Sequence, residues 1–354
     1  MSDPLQQYRA QIDRIDDELL RLFNERARLA QQIGHAKGGS AVLRPEREAQ
    51  ILQRLVQANP GPLSKQGVSQ LFTEIMSQCR ALEAPLSVAY LGPQGTFSEA
   101  AVFQRFGQAT QGVPVESIDA VFAAVESESV SYGLVPVENS TEGAIGRTLD
   151  LLLASNLKIC GEVLLQVHQC LLSAENDLAV IRKVYSHPQS FGQCQGWLNT
   201  HLAHAERVTV PSNAEAARLA ASESFAAAVA GERAAGHYHL KVLARNIEDD
   251  ARNTTRFLVL GKQEVAPSGR DKTSLVMAAP NRPGAMHDLL GPLAQHGVSM
   301  TKLESRPSRA GLWEYVFYVD IEGHQQDQKV ARALAQLKQI AAFVKVLGSY
   351  PMAV

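Results

Sequence analysis

The sequence predicts a multidomain protein: an all-α N-terminal section, a two-lobed α/β middle and an α+β, ferredoxin-like C-terminal section. Three observations carry this. Apolar residues near the N-terminus recur at alternating steps of three and four. From Leu86 to about Val265, short apolar strands alternate with Ala-rich helices and end in polar clusters. After the polar stretch Ala266–Asp271 the pattern is βαββαβ. A chain of 354 residues exceeds one ordinary core, so the divisions are set at 1–84, 86–263 and 272–350.

Composition narrows the class. The chain is 45% hydrophobic and 20% charged, with a net charge of -2, which gives no reason to expect nucleic acid or a membrane as partner. No apolar run approaches the roughly 20 residues that span a bilayer. Met1 to Arg9 has no apolar leader-like run, and the four cysteines form no CxxC pair. A cytoplasmic protein with buried free thiols is expected, with no metal and no cofactor. No GxGxxG follows a strand, which disfavours a dinucleotide enzyme. The Asn-x-Ser/Thr patterns at Asn139 and Asn253 are read as something other than glycosylation signals.

In the first helix, Leu5, Tyr8, Ile12, Ile15, Leu19, Leu22, Leu29 and Ile33 form a heptad seam. Arg26 occupies a seam position, and Arg9 and Lys37 flank it. Arg9 and Arg26 are about 25 Å apart along the axis, and Arg26 and Lys37 about 16 Å. The closer pair can reach one small anion. Arg9 can reach only the equivalent site of a second, antiparallel chain, so an intertwined dimer with shared sites is expected; dimer and tetramer both stay open. Arg44-Pro-Glu-Arg-Glu48 opens a second helix that stops at Asn59-Pro-Gly-Pro62. Ser64 caps a third, which ends in Cys-Arg-Ala-Leu-Glu83.

These features resemble the all-helical chorismate mutase family. That reaction is pericyclic and needs orientation of a dicarboxylate and stabilisation of charge on the breaking ether oxygen. The resemblance implies Arg9 of a partner chain, Arg26 and Arg47 at the carboxylates, Lys37 at the ether oxygen and Glu48 at the substrate hydroxyl. It places Glu83 where a hydrogen-bond donor is needed. The expectation is that Glu83 acts as the protonated acid, and that mutase activity falls as pH rises.

In the middle section, strand Ser87–Leu91 leads into Gly92-Pro-Gln-Gly-Thr-Phe-Ser98, a turn whose amides can face an anion. Strand residues from Tyr132 lead into Glu138, Asn139, Ser140 and Thr141, ahead of a helix over 145–154. A strand ending in Ser186-His187-Pro-Gln189 precedes a helix through Trp197. The polar segment Asn253-Thr-Thr-Arg-Phe257 precedes a strand over 257–261. Polar residues at strand ends, with long crossovers, suggest two lobes around a cleft. In this order the motifs resemble the prephenate dehydratase family, whose fold is similar to the periplasmic-binding-protein architecture. The reaction releases the ring carboxylate as carbon dioxide and the ring hydroxyl as hydroxide as the ring becomes aromatic, so a donor is needed at the leaving oxygen. The resemblance implies Thr255 as the leading catalytic residue, with its own proton or one relayed from Glu138. It implies Arg256 as carboxylate anchor, and Glu138, Asn139, Ser140, Thr141, Ser186, His187 and Gln189 as pocket walls. Arogenate and prephenate are not separated by these residues; the fused mutase favours prephenate.

The last section is read as strand 273–279, helix 283–296, strands 298–304 and 313–321, helix 327–338 and strand 343–348. Asn281-Arg-Pro-Gly-Ala-Met286 and Leu303-Glu-Ser-Arg-Pro307 resemble the motifs of a phenylalanine-binding ACT domain. That resemblance implies Asn281, Gly284, Ala285, Met286, Leu303, Glu304, Ser305 and Arg306 around a phenylalanine effector that slows the dehydratase. Chorismate and prephenate are then the substrates.

Overall fold

The computed structural model describes residues 4–37, 43–280, 282–307 and 315–353. Helices α1 (Pro4–Lys37), α2 (Pro45–Ala58) and α3 (Lys65–Ala81) make up the first section. Pro45 sits in the first turn of α2, where a missing N–H costs nothing. Ser64 Oγ accepts from Gly67 N to cap α3. α2 and α3 bury Leu52, Val68, Met76 and Cys79, whereas the apolar seam residues of α1, Leu5 to Ile33, are exposed in the single chain.

The middle section begins with β1 (Ser87–Leu91), α4 (Phe97–Phe106), β2 (Gln111–Val115), α5 (Ile118–Glu126), β3 (Tyr132–Asn139), β4 (Gly143–Ala144), α6 (Gly146–Ala154) and β5 (Lys158–Gln166). The chain then crosses to a second lobe. There lie β6 (Cys170–Ser173), β7 (Lys183–Ser186), α7 (Pro188–Gln193), α8 (Gln195–His201), β8 (Glu206–Thr209), α9 (Asn213–Ser222), β9 (Ala226–Ala230), α10 (Glu232–Tyr238) and β10 (Lys241–Ala244). It returns as β11 (Thr254–Gly261), which inserts between β3 and β5 in the first sheet, ordered β2-β1-β3-β11-β5. The second sheet runs β10-β6-β9-β7-β8. The outgoing and returning crossovers are stitched together: Val167 N donates to Asn253 O (2.8 Å), and Ile247 N to Gln169 O (2.9 Å).

Two boundaries of the middle section differ most from the sequence reading. The strand expected from Phe257 begins at Thr254, because β-branched threonines suit a strand even where it is polar. The helix expected through Trp197 is two helices, broken at Cys194, whose backbone leaves the helical region.

The last section comprises β12 (Asp271–Ala278), α11 (Ala285–Gln295), β13 (Met300–Pro307), β14 (Tyr315–Glu322), α12 (Gln328–Ile340) and β15 (Phe343–Pro351). Its antiparallel sheet is ordered β13-β14-β12-β15, the βαββαβ ferredoxin-like arrangement. Leu275, Met277, Val319 and Ile321 turn one face to α11 and α12. On the other face Val276, Val316, Tyr318 and Tyr350 join one continuous core with Val135, Val137, Leu149, Leu152 and Leu258 of the first lobe. Each large side chain buried there contributes about 1.5–3 kcal/mol. Backbone approach is close as well: a Cβ on Gly348 would meet Ile159 O at 2.3 Å. The sheet is therefore seated directly on the lobe that carries β3 and β11.

Candidate active site and its regulatory contact

The polar end of β3 and the start of β11 lie side by side, with Thr255 opposite Asn139 and Arg256 opposite Glu138. Asn139 Nδ2 donates to Thr255 Oγ1 (2.9 Å) and to Asn253 Oδ1 (2.9 Å). Its Oδ1 accepts from Thr141 N (3.0 Å) and Thr141 Oγ1 (2.6 Å). Ser140 continues the pairing: its N donates to Thr254 O and its Oγ accepts from Thr254 N. Thr255 Oγ1 is thus an acceptor in this network, which leaves its own hydrogen to donate elsewhere.

Successive strand residues face opposite ways, and this sets where Arg256 and Glu138 make their contacts. Arg256 carries its guanidinium away from Thr255. Nε donates to Glu162 (2.8 Å), Nη1 to Asp320 (2.5 Å) and Nη2 to the Tyr350 hydroxyl (3.0 Å). Glu138 lies 2.7 Å from Lys302 Nζ and 4.0 Å from Arg256. Arg256 thus ties β11 to β5 and to the β12–β15 unit, and Glu138 pairs with Lys302 of that unit. Burial works against the Arg256 charge, but Tyr350, Asp320 and Glu162 outweigh it and raise its pKa.

In the second lobe Ser186 is fully buried, 3.1 Å from Val229 O and 3.3 Å from Asn213 Oδ1. His187 caps α7: its Nδ1 accepts from Gln189 N (3.3 Å), so a neutral ring presents Nε2–H outward. Asn213 also accepts from His187 N (3.1 Å) and donates to Ser190 Oγ (2.8 Å), which Gln169 also meets at 3.0 Å. Asn213, Gln169 and Asn253 were not foreseen. For Asn253 a signal existed: both Asn-x-Ser/Thr patterns meet here, side chain to side chain.

The turn at Gly92–Ser98 is answered from within. Glu99 accepts from Gly95 N (3.0 Å), Tyr90 Oη (3.0 Å), Arg233 Nε (2.9 Å) and His237 Nε2 (2.8 Å), the last two from the second lobe. Gly95, with φ +85°, packs a would-be Cβ within 3.1 Å of Ala234 Cα, so only glycine fits.

Of the mutase set, Arg9 and Arg47 are exposed and Arg26 is half-buried on α1. Glu83 packs onto α1, its Cγ 3.0 Å from where a Gly34 Cβ would stand. Glu48 is buried; it is bonded to Arg80 and lies 3.1 Å from Arg105. A carboxylate offers about four lone-pair sites, so a hydroxyl can still be added. The side chain of Lys37 lies outside the described residues, as does Asn281.

In the last unit Gly284 takes φ +76° ahead of α11, Ala285 is buried and Met286 packs against the helix-side core. Along the edge strand β13, Lys302, Glu304 and Arg306 are half-buried, whereas Leu303 and Ser305 are exposed on the other side. Arg306 Nη2 donates to Asp150 of α6 (3.1 Å). Its place is therefore at the lobe contact, and alternation separates it from Leu303 and Ser305.

Among the described residues no group of His, Cys, Asp and Glu has metal-binding geometry, and no helix is long and apolar enough to cross a membrane. Burial pushes the Cys160 thiol up to about 12, away from reactivity.

An exposed cationic helical seam, a two-lobed α/β body with clustered amides and hydroxyls, and a ferredoxin-like unit bonded to it define a multidomain enzyme with an attached regulatory module. Family comparison gives the particulars. The chorismate mutase type II profile matches residues 8–84, prephenate dehydratase residues 88–265 and the ACT domain residues 273–339. The bifunctional chorismate mutase/prephenate dehydratase of Neisseria gonorrhoeae is 52% identical over 350 residues, 98% of this chain and 97% of that one. A prephenate dehydratase from Arthrobacter aurescens in complex with L-Phe superposes with a TM-score of 0.70 at 33% identity, over 75% of this chain and 90% of that one. GqqA, described as a quorum quenching acylase, superposes with a TM-score of 0.70 at 31% identity, over 75% of this chain and 98% of that one. The chain belongs to the bifunctional chorismate mutase/prephenate dehydratase family and carries both activities.

Proposed function

We propose that one chain performs two consecutive steps of phenylalanine biosynthesis: chorismate to prephenate in section 1–84, and prephenate to phenylpyruvate in section 86–263. Section 272–350 binds phenylalanine and slows the second step. A cytoplasmic location accords with four cysteines that are all free and buried.

In the mutase, Arg9 of a second chain, Arg26 and Arg47 clamp the two carboxylates in bidentate fashion. Lys37 serves the ether oxygen, Glu48 the hydroxyl, and Glu83 the developing charge. The exposed seam of α1 supports a dimer in which Arg9 is exchanged between chains.

In the dehydratase, Thr255 donates its hydrogen bond to the departing hydroxyl. The observation that carries this is the Asn139–Thr255 bond, which spends a lone pair of Thr255 and leaves its hydrogen available. Asn139, Ser140, Thr141, Ser186, His187 and Gln189 bind the ring and the pyruvyl side chain. An unperturbed hydroxyl is a weak acid, so strengthening hydrogen bonding in the transition state, not full transfer, is its role. Thr255→Ala should lower kcat for prephenate by about 100-fold while chorismate turnover is kept. Near-normal dehydration by that variant would remove Thr255 from the reaction.

Phenylalanine binds between the Gly284 turn and the Leu303–Ser305 side of β13, near a paired unit of a second chain. Equilibrium coupling is reciprocal, so ligands in the dehydratase cleft change phenylalanine affinity.

A further inference from the structure

We propose that Asn253 is a positioning residue of the dehydratase: it locks the Asn139 amide in the one orientation that leaves Thr255 with a hydrogen to give. The inference rests on Thr255 being the donor.

Heavy-atom positions alone do not distinguish the two ends of an amide side chain, but the network here does. The backbone N of Thr141 can only donate, so the Asn139 atom 3.0 Å away must be its oxygen. The other end is then the NH2 group, with two hydrogens. One goes to Thr255 Oγ1 and the other to Asn253, both at 2.9 Å. The atom of Asn253 that receives it must be Oδ1.

Were Asn139 to flip, its oxygen would face Thr255 and take the hydroxyl hydrogen, turning the proposed donor inward. With Asn253 in its present orientation, a flip would also set two amide oxygens 2.9 Å apart, and in any case it would face the Thr141 N–H with an NH2 group. The turn and Asn253 therefore hold Asn139 from both sides, and of these two restraints Asn253 is the one beyond Asn139's own loop.

Asn253 is itself held firmly. It is 2% exposed and precedes β11 by one residue. Its carbonyl accepts from Val167 N, which ties the two lobe crossovers together. Its Nδ2 is buried with no partner among the described residues. The fold thus keeps an amide whose acceptor end is used and whose donor end is idle. An Asp at 253 keeps the acceptor and drops the idle donor; a Leu of similar size removes both.

The test uses the full chain, with prephenate turnover measured for Asn253→Leu, Asn253→Asp and Thr255→Ala. Chorismate turnover and the melting transition report whether each variant folds. Asn253→Leu should lose about 100-fold in kcat with KM changed by less than about threefold, and Asn253→Asp should recover to within about tenfold of the parent. If Asn253→Leu fails to fold, Asn253→Ser, whose shorter side chain stops short of Asn139, is read by the same criteria. Unchanged kcat in Asn253→Leu beside an inactive Thr255→Ala would overturn the positioning role and leave the donor standing. Equal losses in the Leu and Asp variants, or a loss confined to KM, would also overturn it. An active Thr255→Ala would instead remove the donor on which it rests.

Discussion

Nη1 of Arg256 and Oδ2 of Asp320 lie 2.5 Å apart, and they join the strand that carries Thr255 to the sheet of the regulatory unit. Their side chains are only 11% and 9% exposed. Glu162, Lys272 and Tyr350 complete the cluster: Lys272 Nζ lies 2.8 Å from Glu162, and Tyr350 sits between Arg256 and Ser274. Any movement of β14 against the first lobe must disturb this cluster one residue away from Thr255.

Asp320→Ala takes one partner from a buried ion pair and leaves the arginine under-compensated. We expect a stability loss of about 3 kcal/mol in urea unfolding. The same variant should shift the phenylalanine concentration for half-inhibition by about fivefold or more, because the unit then communicates with the lobe through fewer bonds. An inhibition curve that superposes on the parent would show that the cluster is structural and that the signal travels by another route.

Glu99 offers a pH test of lobe closure. Burial pushes its carboxyl up, but the Gly95 N–H, His237 and Arg233 outweigh that and hold it below its ordinary value of 4.5. A depressed carboxyl stabilises the fold fully above its unfolded value, and the contribution is lost as pH falls through the folded one. Glu99→Gln should therefore cost about 2 kcal/mol near neutrality, allowing for the partial exposure of Arg233 and His237. The gap to the parent should begin to narrow below the ordinary carboxyl value and close only as pH falls through the lowered folded value, where the parent loses its charge as well. A gap that is the same at both pH values would mean that the carboxylate charge contributes nothing to the latch.

Periodicity made the elements legible. The βαββαβ order gave the last sheet, and Ser64 and Pro45 gave helix starts that the structure keeps. Side-chain direction was harder. Thr254, Thr255 and Arg256 read as a polar loop because each meets a polar partner, yet they form a strand, and only its pleat reveals that Arg256 turns from Thr255. The partner that claims Arg256 is 64 residues away in the sequence, across a separate unit. Glu99 likewise finds Arg233 and His237 only because α10 closes over the Gly95 turn. Such pairings follow from tertiary packing, which local pattern does not encode. Asn139 and Asn253 were visible as matching tripeptide patterns, but their meeting depends on β11 returning between β3 and β5.

The seam of α1 gives the last prediction. Ile12, Ile15, Leu19 and Leu22 are 41–59% exposed or within that range, with Ile15 at 59%. A stripe of that length is apolar on a helix that otherwise carries charge, and heptad spacing suits a second helix more than water. Arg9 lies about 25 Å from Arg26, too far to share a substrate within one chain. Ile15→Glu sets a charge in the middle of the stripe without touching a cationic residue. Sedimentation should show a smaller assembly, and chorismate turnover should fall by about 100-fold as Arg9 is withdrawn from its partner's site. Prephenate dehydration should persist, since β3, β11 and the second lobe lie in a different section. Mutase turnover that survives in a demonstrated monomer would mean that each helix serves its own site, and Arg9 would then have to be taken out of the carboxylate clamp.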